Sequence, residues 1–392
     1  MSMTATTVGQ RIGIGLIAEA EQISGLSDWG GDEFYEPFRL LVESLVADAQ
    51  LSPAGVESSR EWLLMRLTQR LKLFEDRKRH PAIGEQRIEH PIFVAGMPRA
   101  GTTFMHGLLA SDPVAISPLL WQLLSVSPPP NLPGIDNSPE LEKVTGFMSR
   151  QYWSHPEFSK AHDSDLMTPE ECCYLFELAF VSNDWTGWWH VPGYLPALGG
   201  DFGPSYAMHH KVLQAMQLGT ADKRWVLKAP EHSMHLPALL AQYPDAIIVQ
   251  HHRDPAKVMA SMLKLMQTMH EHYSDANHMG RETARHFMTL YAGAMDHIIA
   301  QRARPEIDAQ IIDVHYKALE RDPMGTVEQI YEKAGLPLTN EARAAIGQRI
   351  TERSKGRHGT FVYELADYGI SVRDVHDAFA DYLDTYNIEL EA

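Results

Sequence analysis

Residues 90–110, HPIFVAGMPRAGTTFMHGLLA, hold the chain's strongest chemistry-bearing pattern. Gly96 and Gly101 bracket Met97-Pro98-Arg99-Ala100, and Thr102 and Thr103 follow at once. The spacing is that of a phosphate-cradling G-x-x-x-x-G loop, with Thr102 standing where such a loop carries lysine. Loop N–H groups and the N-terminus of the next helix suit phosphate oxygens, and the two threonine hydroxyls add donors. Arg99 returns the missing positive charge three residues before Thr102.

A second anion-binding pattern lies in residues 224–261. Lys228 ends one apolar run and Arg253 follows the next. Asp254-Pro255 then reads as a helix start, with Ser261 eight residues beyond Arg253. Ligands of open α/β sheets gather at the carboxyl ends of strands. Lys228, Arg253 and the Gly96–Thr103 loop are therefore expected to face one crevice, cationic at both ends. The missing lysine weighs against a P-loop kinase or nucleotide hydrolase, and so does the strand ending Gln250-His251-His252-Arg253, where a metal-holding acid is needed. That reading stands as the alternative, followed by a non-catalytic nucleotide-binding protein.

These side chains need elements to carry them. Short apolar runs at residues 92–95, 225–227, 246–249 and 311–314 are each followed by turn chemistry and a helical pattern. Such alternation predicts an α/β fold, a parallel β-sheet flanked by helices. Residues 1–90 read as a helical N-terminal region. Phe38, Leu41, Val42, Leu45 and Val46 recur at helical spacing, as do Trp62, Leu63, Leu67 and Leu71, and Ser52-Pro53 marks a helix start. The charged stretch 74–90 reads as a solvated linker. Residues 91–392 are expected to form the α/β domain, with an irregular, partly helical insertion at about 117–205.

Composition bounds the partners. With 34 Lys and Arg against 51 Asp and Glu, the net charge is −17, which argues against nucleic acid or anionic lipid. The two cysteines, Cys172 and Cys173, form no disulfide framework and suit a reducing compartment. No stretch is long and apolar enough to span a bilayer, and residues 12–20 lack the features of an export signal. The expected location is the cytoplasm. Oligomeric state is left open.

Taken together, the motifs resemble the P-loop sulfotransferases that use 3′-phosphoadenosine-5′-phosphosulfate (PAPS), particularly their bacterial branch, over roughly residues 90–386. The resemblance implies a P-loop NTPase-like fold and transfer of a sulfuryl group to a hydroxyl, leaving adenosine 3′,5′-bisphosphate (PAP). Pro98-Arg99-Ala100-Gly101-Thr102-Thr103 resembles the loop for the 5′-phosphosulfate. Arg253 and Ser261 match the family's pair for the 3′-phosphate. Arg353 to Gly359, with Lys355, Gly356 and Arg357, resembles the loop that closes over that phosphate.

Such a transfer is an in-line displacement that rests on positioning and charge stabilisation. Arg99, Lys228 and the amides near Gly101 to Thr103 suit that role, and no metal is expected. His232-x-x-His235 and His270-x-His272 show no third ligand for one. The acceptor's proton needs a base. His232 leads, since it follows Lys228 as a histidine does in the cytosolic relatives, and imidazole titrates near neutrality. His235 and the pair Glu170 and Glu171 are the rivals. Gln122, after Trp121, stands where many bacterial relatives carry an acid. Trp185, Trp188, Trp189, Tyr152, Trp153 and Phe158 are candidate walls for a small hydrophobic hydroxyl acceptor. Met262, Met266 and Met269 read more readily as packing.

Overall fold

The computed structural model describes residues 5–153, 165–220, 223–355 and 364–391. Four helices lead: α1 (Ala5–Ile12), α2 (Gly15–Ser24), α3 (Tyr35–Ala47) and α4 (Pro53–Arg79). Ser52 caps α4 by accepting a hydrogen bond from the Gly55 amide, with Pro53 in the first turn. The expected linker is corrected here. Helix α4 runs on through Arg79, with Phe74 and Asp76 buried and Arg77, Lys78 and Arg79 in the last turn, where cations complement the helix dipole.

Then follow β1 (Ile92–Gly96), α5 (Thr102–Leu109) and β2 (Ala115–Ile116). Short helices recur in the described parts of residues 120–202, and the longer α6 (Gly203–Gln217) follows. Next come β3 (Arg224–Lys228), a 3₁₀ turn at Pro230–His235, α7 (Leu236–Gln242), β4 (Ile247–His252), α8 (Pro255–Tyr273) and α9 (Arg281–Arg302). Strand β5 (Ile311–His315) leads into α10 (Tyr316–Arg321), α11 (Pro323–Lys333) and α12 (Asn340–Lys355). Two short helices, α13 (Val372–Ala378) and α14 (Ala380–Tyr386), close the described chain.

The five strands form one parallel sheet in the order β2-β3-β1-β4-β5. Every residue of β1 is buried, because alternate side chains enter different cores. Phe93 and Ala95 pack with the N-terminal helices and the insertion, while Ile92 and Val94 pack with α5 and Val249. The apolar runs thus mark four of the strands. Strand β2, only two half-buried residues long, has no such run to announce it.

The N-terminal helices share their core with the insertion. Two buried arginines of α4 tie the parts together. Arg66 donates to the Leu123 carbonyl at 2.9 Å and pairs with Glu177 at 2.6 Å. Arg70 donates to the carbonyls of Trp29 (3.0 Å) and Leu178 (2.9 Å). Each guanidinium takes protein acceptors in place of water, as burial of a charge demands.

Candidate active site

The turn after β1 leaves no room for a side chain at two of its positions. Gly96 has φ 126°, and a Cβ there would lie 2.5 Å from the His251 carbonyl oxygen on β4. Gly101 has φ 88° and caps α5, and a Cβ there would press on the Tyr316 ring at 3.0 Å. Arg99 itself adopts a left-handed conformation, φ 67°. Strain of this kind is held by surrounding contacts. Here the Arg99 Nε donates to Ser261 Oγ at 2.9 Å, and the Arg99 carbonyl accepts from Arg253 Nη1 at 2.8 Å.

Arg253 follows β4, and Asp254 caps α8 by accepting from the Ala256 amide. Ser261 lies two turns into α8, so one strand end and one helix bring both groups to the Gly101 turn. The Arg253 guanidinium stacks on Tyr316, 3.9 Å from the ring centroid. Its Nε and Nη2 donate to the two carboxylate oxygens of Glu391, at 2.8 and 3.0 Å.

Lys228 ends β3 with no exposed side-chain surface. Its Nζ lies 2.5 Å from Glu171, 3.2 Å from Glu170 and 3.4 Å from Thr103 Oγ1. Burial works against its charge, but the Glu171 and Glu170 carboxylates outweigh it and hold the lysine pKa above its ordinary value. The acids reach Lys228 because their segment is laced to the sheet. The Glu170 amide donates to the Pro118 carbonyl at 3.1 Å, and the Cys172 amide to the Lys228 carbonyl at 2.7 Å.

Lys228, expected to face the crevice, is fully buried and off the cavity wall; the other groups, with Glu170, Glu171 and Thr103, open on one cavity of about 580 Å³. Pro98, Arg99, Gly101, Thr102, Thr103, Arg253, Ser261 and Tyr316 line one end of it. Ala100 is buried behind the turn, where its carbonyl faces His251 Nδ1 at 3.2 Å. The wall around Glu170 and Glu171 continues into apolar surface from Met262, Met266 and Met269 of α8, Phe287 and Tyr291 of α9, and Tyr152 and Trp188. The methionine row is therefore cavity wall, not only packing. Trp185 and Trp189 are core, stacked on each other with centroids 5.2 Å apart, and Trp153 does not line the cavity. Gln122 is buried and accepts from the Leu119 amide at 2.9 Å.

His232 is corrected. It is fully buried and absent from the cavity wall, its Nδ1 3.0 Å from the Tyr206 hydroxyl and its ring edge-on to Phe93 and Phe176. Burial drives its pKa well below the ordinary value. The 3₁₀ turn after β3 buries this side chain against Phe93 of β1 and Phe176. His235 stacks on Phe202, is driven down to about 3 by burial, and also stays off the cavity. Among the described residues, the group of three metal-competent side chains is Cys172, His209 and His232, all in the core. Lys355 ends α12, while Gly356 and Arg357 lie outside the described residues, as does Phe158.

Two cavity residues, Glu231 and Asp184, carry no signal in the sequence, and a third, Tyr316, gains one only from its strand. Glu231 accepts from the Asn183 amide (2.8 Å) and Ser182 Oγ (3.2 Å), and burial raises its pKa to about 8. Asp184 accepts from Trp188 Nε1 at 2.8 Å, and burial raises it to about 6. Tyr316 directly follows β5, so the strand-end rule points to it once β5 is assigned.

A parallel sheet with a cationic crevice at its carboxyl edge and a glycine turn at its centre defines a P-loop-like group-transfer enzyme. The chain belongs to the sulfotransferase family, whose profile matches residues 91–340. Its structure is similar to that of sulfotransferase STF1 from Mycobacterium tuberculosis H37Rv, with TM-score 0.81 and 33% identity over 94% of this chain and 98% of that one. It is also similar to sulfotransferase STF9 from Mycobacterium avium, with TM-score 0.85 and 28% identity over 96% and 97% of the two chains. No curated protein sequence matches it. Among the described residues, no helix is long and apolar enough to cross a membrane.

Proposed function

We propose that this sulfotransferase takes its sulfuryl group from PAPS and passes it to the hydroxyl of a small hydrophobic acceptor. One observation carries the reading. The Arg99, Ser261 and Arg253 group and the Gly101 turn share a cavity with a methionine-lined wall, and Glu171 on that same wall is paired with the buried Lys228. The residues fit the donor's charges. The tight glycine turn leaves backbone amides open to a 5′-phosphosulfate, and Arg253 with Ser261 suits a 3′-phosphate.

The donor, when bound, supplies an activated sulfuryl group. Lys228 and Arg99 stabilise the charge that grows on the equatorial and leaving oxygens. Glu171 takes the proton from the acceptor oxygen as that oxygen bonds to sulfur and the bond to the leaving phosphate oxygen breaks. Glu171 is the more exposed acid of the pair, 24% against 4% for Glu170. Glu170, which accepts from the Glu171 amide at 3.0 Å, holds Lys228 in place. In this reading residues 91–392 carry the chemistry and residues 1–90 form a helical region that supports the acceptor side. The free, buried Cys172 and Cys173 suit the cytoplasm.

Calorimetric titration with PAP and with Mg-ATP, followed by sulfate transfer to a panel of acceptors, tests the proposal. Binding of PAP without added metal and transfer to phenols or apolar alcohols are expected. Preference for Mg-ATP would overturn the donor assignment, and turnover of carbohydrates alone would overturn the acceptor class.

A further inference from the structure

The Arg253 guanidinium spends one of its two paired-donor edges, Nε with Nη2, on Glu391, and gives Nη1 to the Arg99 carbonyl. A phosphate gripping the same side chain needs a paired edge. Glu391 is not a stray surface contact. Its side chain is only 10% exposed, and its amide donates to Asp254 Oδ2 at 2.7 Å. Asp254 is itself fixed, since its Oδ1 accepts from the Ala256 amide and lies 2.9 Å from His376 Nε2. The backbone anchor leaves the carboxylate free to let go of Arg253 without releasing the segment. Beside it lies a second cleft of about 510 Å³ that shares Arg253 and Tyr316 with the main cavity and is lined by Lys317, Arg321 and residues of the 387–391 segment. Asp254, Glu389 and Glu391 line the same cleft, so cations and acids both border Arg253 there.

We propose that Glu391 is an internal competitor for the 3′-phosphate position, holding Arg253 until the donor arrives and retaking it as the product departs. The inference rests on the PAPS reading above. A phosphate of charge near −2 displaces a carboxylate of charge −1 from the same cation, so the exchange favours the nucleotide but weakens its net grip. Apparent affinity is lowered by the fraction of protein whose Arg253 is already engaged. Donor and product are weakened alike, and product leaves faster. Glu391 thereby sets the balance between holding the donor and shedding PAP.

The test compares the unaltered protein with Glu391→Gln and Glu391→Ala. PAP affinity is measured by calorimetry and PAP release by stopped flow, with 5′-AMP, which has no 3′-phosphate, as the second ligand. Both variants are expected to bind PAP about tenfold more tightly and to release it more slowly, with 5′-AMP affinity unchanged. Glu391→Gln keeps the amide bond to Asp254 and so separates charge from packing. Unchanged or weaker PAP binding in both variants overturns the inference. If the unaltered protein binds PAP no better than 5′-AMP, the donor reading itself fails. If it does discriminate and the variants do not tighten, only the role of Glu391 fails.

Discussion

The two ends of the cavity are built on different principles. The end proposed for the donor is polar and interlocked. Arg99 holds Ser261, Arg253 holds the Arg99 backbone, and Lys228 holds two acids and reaches Thr103. Each group is fixed by another, so removing one leaves a buried partner unsatisfied. The acceptor end is apolar, rich in flexible methionines and borrowed from several elements. A surface of that kind repacks around a lost contact. The donor end should therefore respond to substitution steeply, and the acceptor end with small changes in preference.

Glu171→Gln gives the sharpest break. Loss of the proposed base should slow sulfate transfer by about 10²–10⁴-fold while PAP binding persists in calorimetry. Wild-type turnover would take the proton-accepting role from Glu171. Lys228→Met keeps the length of the side chain but deletes its charge, and kcat should fall by about 10²–10³-fold. A loss confined to KM would show that Lys228 only binds.

Arg253→Ala probes the far end of the donor site. PAP affinity should drop about a hundredfold, with 5′-AMP affected little, because one side of a buried charge-assisted pair is lost. Equal losses for both nucleotides would move the 3′-phosphate elsewhere. Met266→Ala, on the opposite wall, should change acceptor KM only a few-fold and leave donor KM alone. A collapse in kcat there would erase the contrast between the two ends.

The smallest effect is one of stability with pH. The folded protein holds the Glu231 carboxyl at about 8, above the 4.5 of a free glutamate, so it retains a proton that the unfolded chain has lost. That stabilisation is complete below pH 4.5 and fades as pH rises through about 8. Asp184 acts in the same sense between 3.8 and about 6. Melting temperature should fall less between pH 5 and 8 in Glu231→Gln than in the unaltered protein. Parallel curves would show that Glu231 is charged in the fold.

How much of this was legible in the sequence differs by side. At the donor end the loop from Gly96 to Thr103 is contiguous, and Arg253 and Ser261 sit on one helix start, so local spacing already says which groups can meet. At the acceptor end, distant stretches supply the wall, and only the fold adds them together. His232 shows the cost of reasoning from spacing alone. It stands four residues past Lys228, yet a 3₁₀ turn carries it into the core between Phe93 and Phe176. The sequence offers Glu170 and Glu171 as rivals, but nothing local places them against Lys228. Their position comes from the amide bonds to Pro118 and Lys228, which join residues far apart in the chain.

By itself the sequence determined the parallel sheet, its glycine turn and the cations at its edge, because short apolar runs, turn glycines and helix-start residues are patterns of neighbouring residues. The tertiary structure alone decided which carboxylate meets Lys228, which side chains line the apolar wall, and that Glu391 reaches back to Arg253. Those are contacts between segments 57 and 138 residues apart. No local rule specifies them, since each depends on how helices and loops close over the sheet.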